Sequence, residues 1–229
     1  MRRGVALAAW ALALGAIPAH AQTPEDDIVV VGLGDRGYKL TAQQLRAAAA
    51  TFEQNRAAFA PEARLVWHIL PRGPHPEVGL ALKSADGEAL AIPVSPEGSF
   101  TLPHDRLLTG QWRLVTTVAK GAIRIQPVAM SPGATREAFR MGDARLSCRV
   151  HWSFAADQYS IVTRSLFSMV GGCASPSIGI YFSTDRPIAA VHIDHWDKPV
   201  DIAKDGKAWR IPLHEKGLSN DAMARITYR

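Results

Sequence analysis

The chain has 229 residues, of which 47% are apolar and 21% are charged, and its formal net charge is +5. Roughly 200 residues are enough for one or two domains with hydrophobic cores. The basic residues are scattered, so the charge favours solubility and does not indicate nucleic-acid binding. Beyond the apolar beginning of the chain, no segment is apolar enough to predict a membrane span.

The chain begins with the three parts of a secretory signal peptide. Arg2 and Arg3 form the positive start, residues 4–17 are almost entirely apolar, and Ala19 and Ala21 place small side chains where signal peptidase reads. The apolar run is shorter than the about 20 residues that a membrane span needs. We therefore expect residues 1–21 to be removed and the protein to be periplasmic or secreted.

Residues 22–37 are expected to form a flexible leader that holds a possible first strand. The β-branched run 28–31 has the composition of a strand. Residues 27–32, DIVVVG, also resemble the energy-coupling box of outer-membrane TonB-dependent receptors, although Val31 stands where that family usually has threonine. In that family the box adds an edge strand to the TonB protein, so the resemblance implies an accessory protein that engages TonB.

The clearest helix pattern covers residues 42–59. Thr41 followed by Gln44 makes a capping box, and Leu40 before the cap can pack on Leu45 as a hydrophobic staple. Apolar residues then recur on a narrow stripe rich in alanine until a proline closes the segment. We expect a long helix near the N-terminus that packs on the face of a sheet.

After this helix the pattern changes to short strands separated by turns rich in glycine and proline. The predicted strands are residues 65–70, 78–83, 89–94, 99–102, 112–118 and 122–128. Short strands about ten residues apart are typical of an antiparallel sheet or a sandwich.

Two stretches of the chain echo one another. Residues 96–103 and 204–212 each contain a turn glycine, an aromatic residue, an aliphatic residue and a proline, with one extra residue in the second copy. An alternating strand precedes each copy, at 78–82 and at 191–194. The echo makes these stretches a candidate internal repeat.

The two cysteines, Cys148 and Cys173, are expected to form a disulfide, because exported thiols meet an oxidising compartment. From 149 to 154 apolar residues alternate with polar ones, the period of a half-buried strand. Asp157 can then cap a helix whose apolar residues recur at spacings of three and four. The loop closed by the disulfide is thus predicted to contain a strand and a helix.

These patterns define an α+β fold with a mainly antiparallel β-sheet or sandwich, one long N-terminal helix and a shorter helix in the disulfide loop. The globular part is expected over residues 38–229, as one unit or as two sub-modules, 62–130 and 144–229. The first copy of the echo resembles transthyretin-like and carboxypeptidase-regulatory-like sandwich modules. Such modules are mostly accessory, so the resemblance transfers no site residue.

The stretch 192–195 carries the most reactive set of side chains. On a strand, His192 and Asp194 share one face and His195 points to the other. A carboxylate beside an imidazole can orient a general base, or the pair can supply two ligands to zinc, which needs three or four. Since no third ligand is evident, we predict no metal and no cofactor, and the alternative interpretation is an exposed strand edge.

Four tryptophans are candidates for a platform on which a sugar or a peptide stacks. They are Trp112, Trp152, Trp196 and Trp209. The competing interpretation places most of these rings in the core.

No catalytic motif is complete in the sequence. The leading prediction is therefore a non-enzymatic binding or scaffolding module of the cell envelope, whose partner is an envelope protein or a glycan. A hydrolase or metal-dependent enzyme using His192 and Asp194 is one alternative. An accessory protein that engages TonB through residues 27–32 is the other.

Overall fold

The computed structural model describes residues 37–72, 77–184 and 186–229. The predicted signal peptide, the strand at 28–31 and the TonB-like box at 27–32 lie outside these residues. The helices are α1 (Ala42–Phe59), α2 (His104–Thr109), α3 (Met141–Phe154) and α4 (Ile161–Met169). The strands are β1 (Gly37–Leu40), β2 (Arg64–Pro71), β3 (Leu80–Lys83), β4 (Ala89–Ile92), β5 (Ser99–Phe100), β6 (Arg113–Ala119), β7 (Ile123–Met130), β8 (Ala138–Arg140), β9 (Tyr181–Ser183), β10 (Ile188–Ile193), β11 (Ala208–Arg210) and β12 (Met223–Tyr228).

The strands of the described chain form four small sheets. Their orders are β1-β6-β3-β4, β5-β2-β7, β10-β12-β8 and β11-β9. All the pairings between these strands are antiparallel. The prediction of a mixed α+β fold with mainly antiparallel sheets is confirmed, whereas the sandwich arrangement stays a prediction.

Helix α1 begins at a capping box and packs chiefly along α3. Thr41 Oγ1 accepts a hydrogen bond from the Gln44 amide at 3.2 Å, and Gln44 Oε1 accepts one from the Thr41 amide at 3.0 Å. Ala48 and Ala49 are completely buried, because small side chains let a second helix approach closely. The main neighbour of α1 is thus a helix, not the sheet face that the sequence predicted.

The prediction of a strand at residues 149–154 is wrong, because this stretch is the second half of helix α3. Leu146, Val150 and Phe154 are buried at intervals of four residues, which is the spacing of one helix face. Val150 and Phe154 satisfy the period of a strand as well as that of a helix. A window of six residues therefore could not separate the two periods, and the preceding turn of α3 decides between them.

The predicted disulfide between Cys148 and Cys173 is confirmed, with the two Cα atoms 6.0 Å apart. It closes a loop that holds helix α4. This helix begins at Ser160, whose Oγ accepts the Thr163 amide at 3.1 Å. The predicted cap, Asp157, lies instead in a short 3-10 turn and accepts a hydrogen bond from the side chain of Gln44 in α1 at 3.3 Å.

The buried apolar side chains form two clusters, and α3 contributes to both. Leu146 and Phe154 belong to the cluster that contains α1 and the tryptophan of β2, Trp67. Met141 belongs to the cluster built by β10, β12 and Trp209 of β11. One helix therefore connects the N-terminal and C-terminal parts of the described chain.

The two echoing stretches form similar turns. Gly98 and Gly206 both have a left-handed backbone, with φ of 73° and 70°. Their amides donate to the carbonyl three residues earlier, at 2.9 Å and 2.8 Å. Phe100 and Trp209, the aromatic residues that follow, are both buried. A true repeat stays a prediction.

Candidate functional site

The His192–Asp194 pair lies where β10 and β12 pair, and its carboxylate is already engaged. His192 Nε2 is 3.8 Å from Asp194 Oδ1, whereas Arg225 Nη1 donates to the same oxygen at 2.6 Å. The Met223 amide donates to the other oxygen at 3.3 Å. The hydrogen bond from Arg225 lowers the pKa of Asp194 below its usual value. The carboxylate thus joins two strands through a cross-strand ion pair.

The histidines beside this pair are open to solvent. The side chain of His192 is 72% exposed, and His195 is exposed in a turn with φ of 57°. Within the described part of the chain, no three histidine, cysteine, aspartate or glutamate side chains are grouped so as to hold a metal ion.

The four candidate tryptophans have different surroundings. Trp209 is completely buried, and Trp112 is nearly buried beneath the Arg106 guanidinium, which lies 4.9 Å from its ring centre. Trp196 is half-buried and lines a cleft of about 200 Å³, where Lys198 Nζ lies 4.8 Å from its ring. Trp112 and Trp209 therefore present no open ring to a ligand.

Trp152 stacks against aromatic neighbours in the disulfide loop. Its ring centre is 3.6 Å from that of Phe167 in α4 and 4.8 Å from that of Tyr159, and both pairs are nearly parallel. We call Trp152, Tyr159 and Phe167 the aromatic stack. It joins one side of α4 to α3.

The other side of α4 is an apolar surface in water. No residue of this nine-residue helix is buried. Five large apolar side chains are exposed, and we call them the α4 face: Ile161 (73%), Val162 (67%), Leu166 (54%), Met169 (79%) and Val170 (46%). Val162, Leu166 and Met169 recur at spacings of four and three, so they lie along one side of the helix.

The apolar residues that form the α4 face are periodic in the sequence. This periodicity over residues 159–170 predicts a helix, but it is equally typical of a helix whose apolar side packs on a core. The sequence analysis therefore did not identify the α4 face as a functional candidate. Only the exposure of the side chains shows that the apolar side of α4 lies at the surface.

The charge pattern of α4 is simple. The helix contains one basic residue, Arg164, and no acidic residue. A surface of this kind can enter an apolar environment without moving a carboxylate out of water, which would be costly.

No helix in the described ranges has the length and apolar character to cross a membrane. No protein-family model matches the chain, and comparisons with curated proteins and with solved structures also found no match. Functional assignment therefore depends on the residues of the chain itself.

Proposed function

We propose that the protein is an exported, non-enzymatic module of the cell envelope that binds a lipid surface peripherally through the α4 face. The observation that carries this proposal is the exposure of five large apolar side chains, four on α4 and that of Val170, the residue that caps its C-terminal end. A disulfide and the absence of a spanning helix in the described residues are compatible with this role.

The α4 face is costly to leave in water. Burying one leucine or isoleucine side chain contributes about 1.5–3 kcal/mol. Soluble monomers rarely expose a contiguous apolar patch of this kind unless it binds a partner. These side chains contribute little to the hydrophobic core, because α4 buries none of its residues.

Four features favour a lipid surface as the partner. The α4 face has no acidic residue, Arg164 can pair with anionic headgroups, and the chain keeps a formal charge of +3 after Arg2 and Arg3 leave with the expected signal peptide. The aromatic stack behind the face contains tryptophan and tyrosine, the residues that prefer the boundary between water and lipid. A helix of this type lies in the plane of the interface with its apolar side buried about 5–10 Å deep.

Vesicle binding tests the proposal. The mature chain, residues 22–229, is mixed with vesicles of phosphatidylglycerol and phosphatidylethanolamine, and the bound fraction is measured by sedimentation. We expect Leu166→Ser and Met169→Ser each to lower the partition coefficient about tenfold or more, since each removes an inserted apolar side chain. Leu108→Ser is the matched control, because Leu108 is an exposed leucine on α2.

Two results would overturn the proposal. One is vesicle binding that is absent from the wild-type protein or unchanged in the two α4 variants. The other is self-association of the wild-type protein in sedimentation equilibrium that both α4 variants abolish, because a second copy of the chain would then cover the α4 face.

The two other functions predicted from the sequence stay predictions. The enzyme hypothesis needs the Asp194 carboxylate for His192, but Arg225 occupies it. The TonB hypothesis concerns residues 27–32, which lie outside the described chain.

A further inference from the structure

A second surface feature lies at the seam between the N-terminal and C-terminal parts of the described chain. It is a cleft of about 260 Å³ beside the disulfide, between the end of α1, the middle of α3 and the loop 213–220. Its walls include Phe59, Arg149, Cys173, His214, Lys216 and Asn220. Clefts between parts of a fold are frequent positions for small ligands.

One wall of the cleft is held in place by Arg145 of α3. Its guanidinium donates to four acceptors of the loop: Leu213 O (3.3 Å), Asn220 Oδ1 (2.6 Å), Glu215 O (2.9 Å) and Leu218 O (2.9 Å). This arginine therefore acts as a structural clamp. A loop fixed in advance loses less entropy when a ligand binds.

Helix α3 and the loop 213–220 pack closely against the end of α1 beside the cleft. A Cβ atom on Gly142 would lie 2.1 Å from the carbonyl oxygen of Phe59, so only glycine allows α3 to approach α1 this closely. Asn220 Nδ2 donates to the carbonyl of Ala58 at 3.1 Å, which attaches the loop to α1 as well. The cleft is thus bounded by three elements that hold one another.

The charges in the cleft are unbalanced. Arg149 and Lys216 are exposed and have no carboxylate partner within the described chain. The guanidinium of Arg149 lies over the ring of Phe59, 4.8 Å from its centre, which orients it. The one acidic residue in the lining, Glu215, is paired with Lys198 at 3.1 Å.

We propose that this cleft binds a small organic anion, with its carboxylate or phosphate group held between Arg149 and Lys216. Arginine offers a planar fork of donors that suits both groups, and lysine adds a compact positive charge. The volume of the cleft is near the lower end for small-molecule sites, so the ligand is small. This inference is independent of the lipid-binding proposal.

Calorimetric titration of the mature chain tests the site with three probes. Citrate and inorganic phosphate represent the two kinds of anion, and glucose is the uncharged comparison. We expect saturable binding of at least one anion, no binding of glucose, and weaker binding at higher salt. The stronger anion then identifies the carboxylate or the phosphate class.

Substitutions locate the binding in the cleft. We expect Arg149→Gln and Lys216→Gln each to weaken anion binding at least tenfold, and Arg149→Lys to restore part of the loss by restoring the charge. Arg113→Gln and Lys204→Gln are matched controls, because both residues are exposed elsewhere and have no side-chain partner in the described chain. Each control is expected to change binding less than twofold.

The proposal fails if the wild-type protein binds neither anion, or if Lys216→Gln binds as tightly as the wild type. Lys216 is exposed in a turn, so its substitution leaves the fold intact and this result is decisive even if Arg149→Gln is unstable. Leu166→Ser is expected to retain anion binding, which separates the outcome from that of the vesicle experiment.

Discussion

Helices α1 and α4 both have an apolar stripe, but their surroundings are opposite. Helix α1 buries Leu45, Ala48, Ala49 and Phe52, whereas α4 buries no residue. The stripe of α1 is narrow and rich in alanine, so α3 can pack closely along it. The stripe of α4 consists of large apolar side chains that no other described residue buries. The same kind of pattern therefore serves the core in one helix and a surface in the other.

The two helices are also stabilised differently. Packing against α3 holds α1 in place, and its capping box defines where it begins. Helix α4 depends on its Ser160 cap, the aromatic stack and the disulfide that closes its loop. Substitutions should therefore affect stability in α1 and binding in α4.

The largest expected effect contrasts one buried and one exposed residue. Phe52→Ala in α1 should lower the free energy of unfolding by about 3–5 kcal/mol, because Phe52 is buried and its removal leaves a cavity. Leu166→Ala in α4 should change it by less than about 0.5 kcal/mol, because Leu166 is exposed. Urea unfolding of both variants measures the difference, and equal destabilisation would remove the distinction between the helices.

Removal of the disulfide should have the next largest effect. In the double variant Cys148→Ser with Cys173→Ser, the unfolded chain regains the freedom of a closed loop, which lowers stability by about 3–4 kcal/mol. Amide hydrogen exchange in α4 should become faster than the loss of global stability alone explains, because the disulfide no longer closes its loop. In α1 the exchange should follow the global loss, because α1 still packs against α3. Reduction of the wild-type protein is the control and should give the same loss. An unchanged midpoint in urea would contradict the role assigned to this bond.

Acid should lower the free energy of unfolding, because the sheet β5-β2-β7 contains a buried histidine, His68. Helix α4 contains no histidine. Burial, together with the charge of Arg136, lowers the pKa of His68 in β2 from 6.5 to about 4. The unfolded chain therefore binds a proton between these values that the folded chain does not. The free energy of unfolding is therefore highest above pH 6.5, and it decreases as the pH falls from 6.5 toward 4.

From this shift we expect the free energy of unfolding to be about 2 kcal/mol lower at pH 5 than at pH 7. Burial also lowers the pKa of His151, which acts in the same direction. His68→Gln should reduce this pH dependence, and His192→Gln, at an exposed histidine, should not. Urea unfolding at the two pH values measures both variants. If His68→Gln leaves the difference in the free energy of unfolding between pH 5 and pH 7 unchanged, other titratable groups cause the pH dependence.

The sequence predicted the capping box and the disulfide correctly, but it did not predict the secondary structure of residues 149–154. The capping box at Thr41 and Gln44 forms as its residues indicate, and the disulfide follows from two cysteines in a chain that begins like an exported one. The signal failed at 149–154, where Val150 and Phe154 fit a strand and a helix equally. The position of Leu146 on the same buried face resolved this ambiguity.

The candidate sites depended more on long-range contacts. Asp194 looked like the partner of His192, but Arg225, 31 residues later, takes its carboxylate because β12 pairs with β10. The cleft beside Cys173 could not be inferred from the sequence, since it joins residues from α1, α3 and a loop near the C-terminus. No spacing rule connects residues so far apart.

The sequence by itself determined the fold class, the bonded cysteines and the apolar period of α4, because these depend on composition and on neighbouring residues. Tertiary structure alone decided which apolar stripe became buried, which cation pairs with the Asp194 carboxylate and which cations line the cleft beside the disulfide. The physical reason is that burial and electrostatic pairing depend on distances between residues far apart in the chain, which are set only when the elements pack.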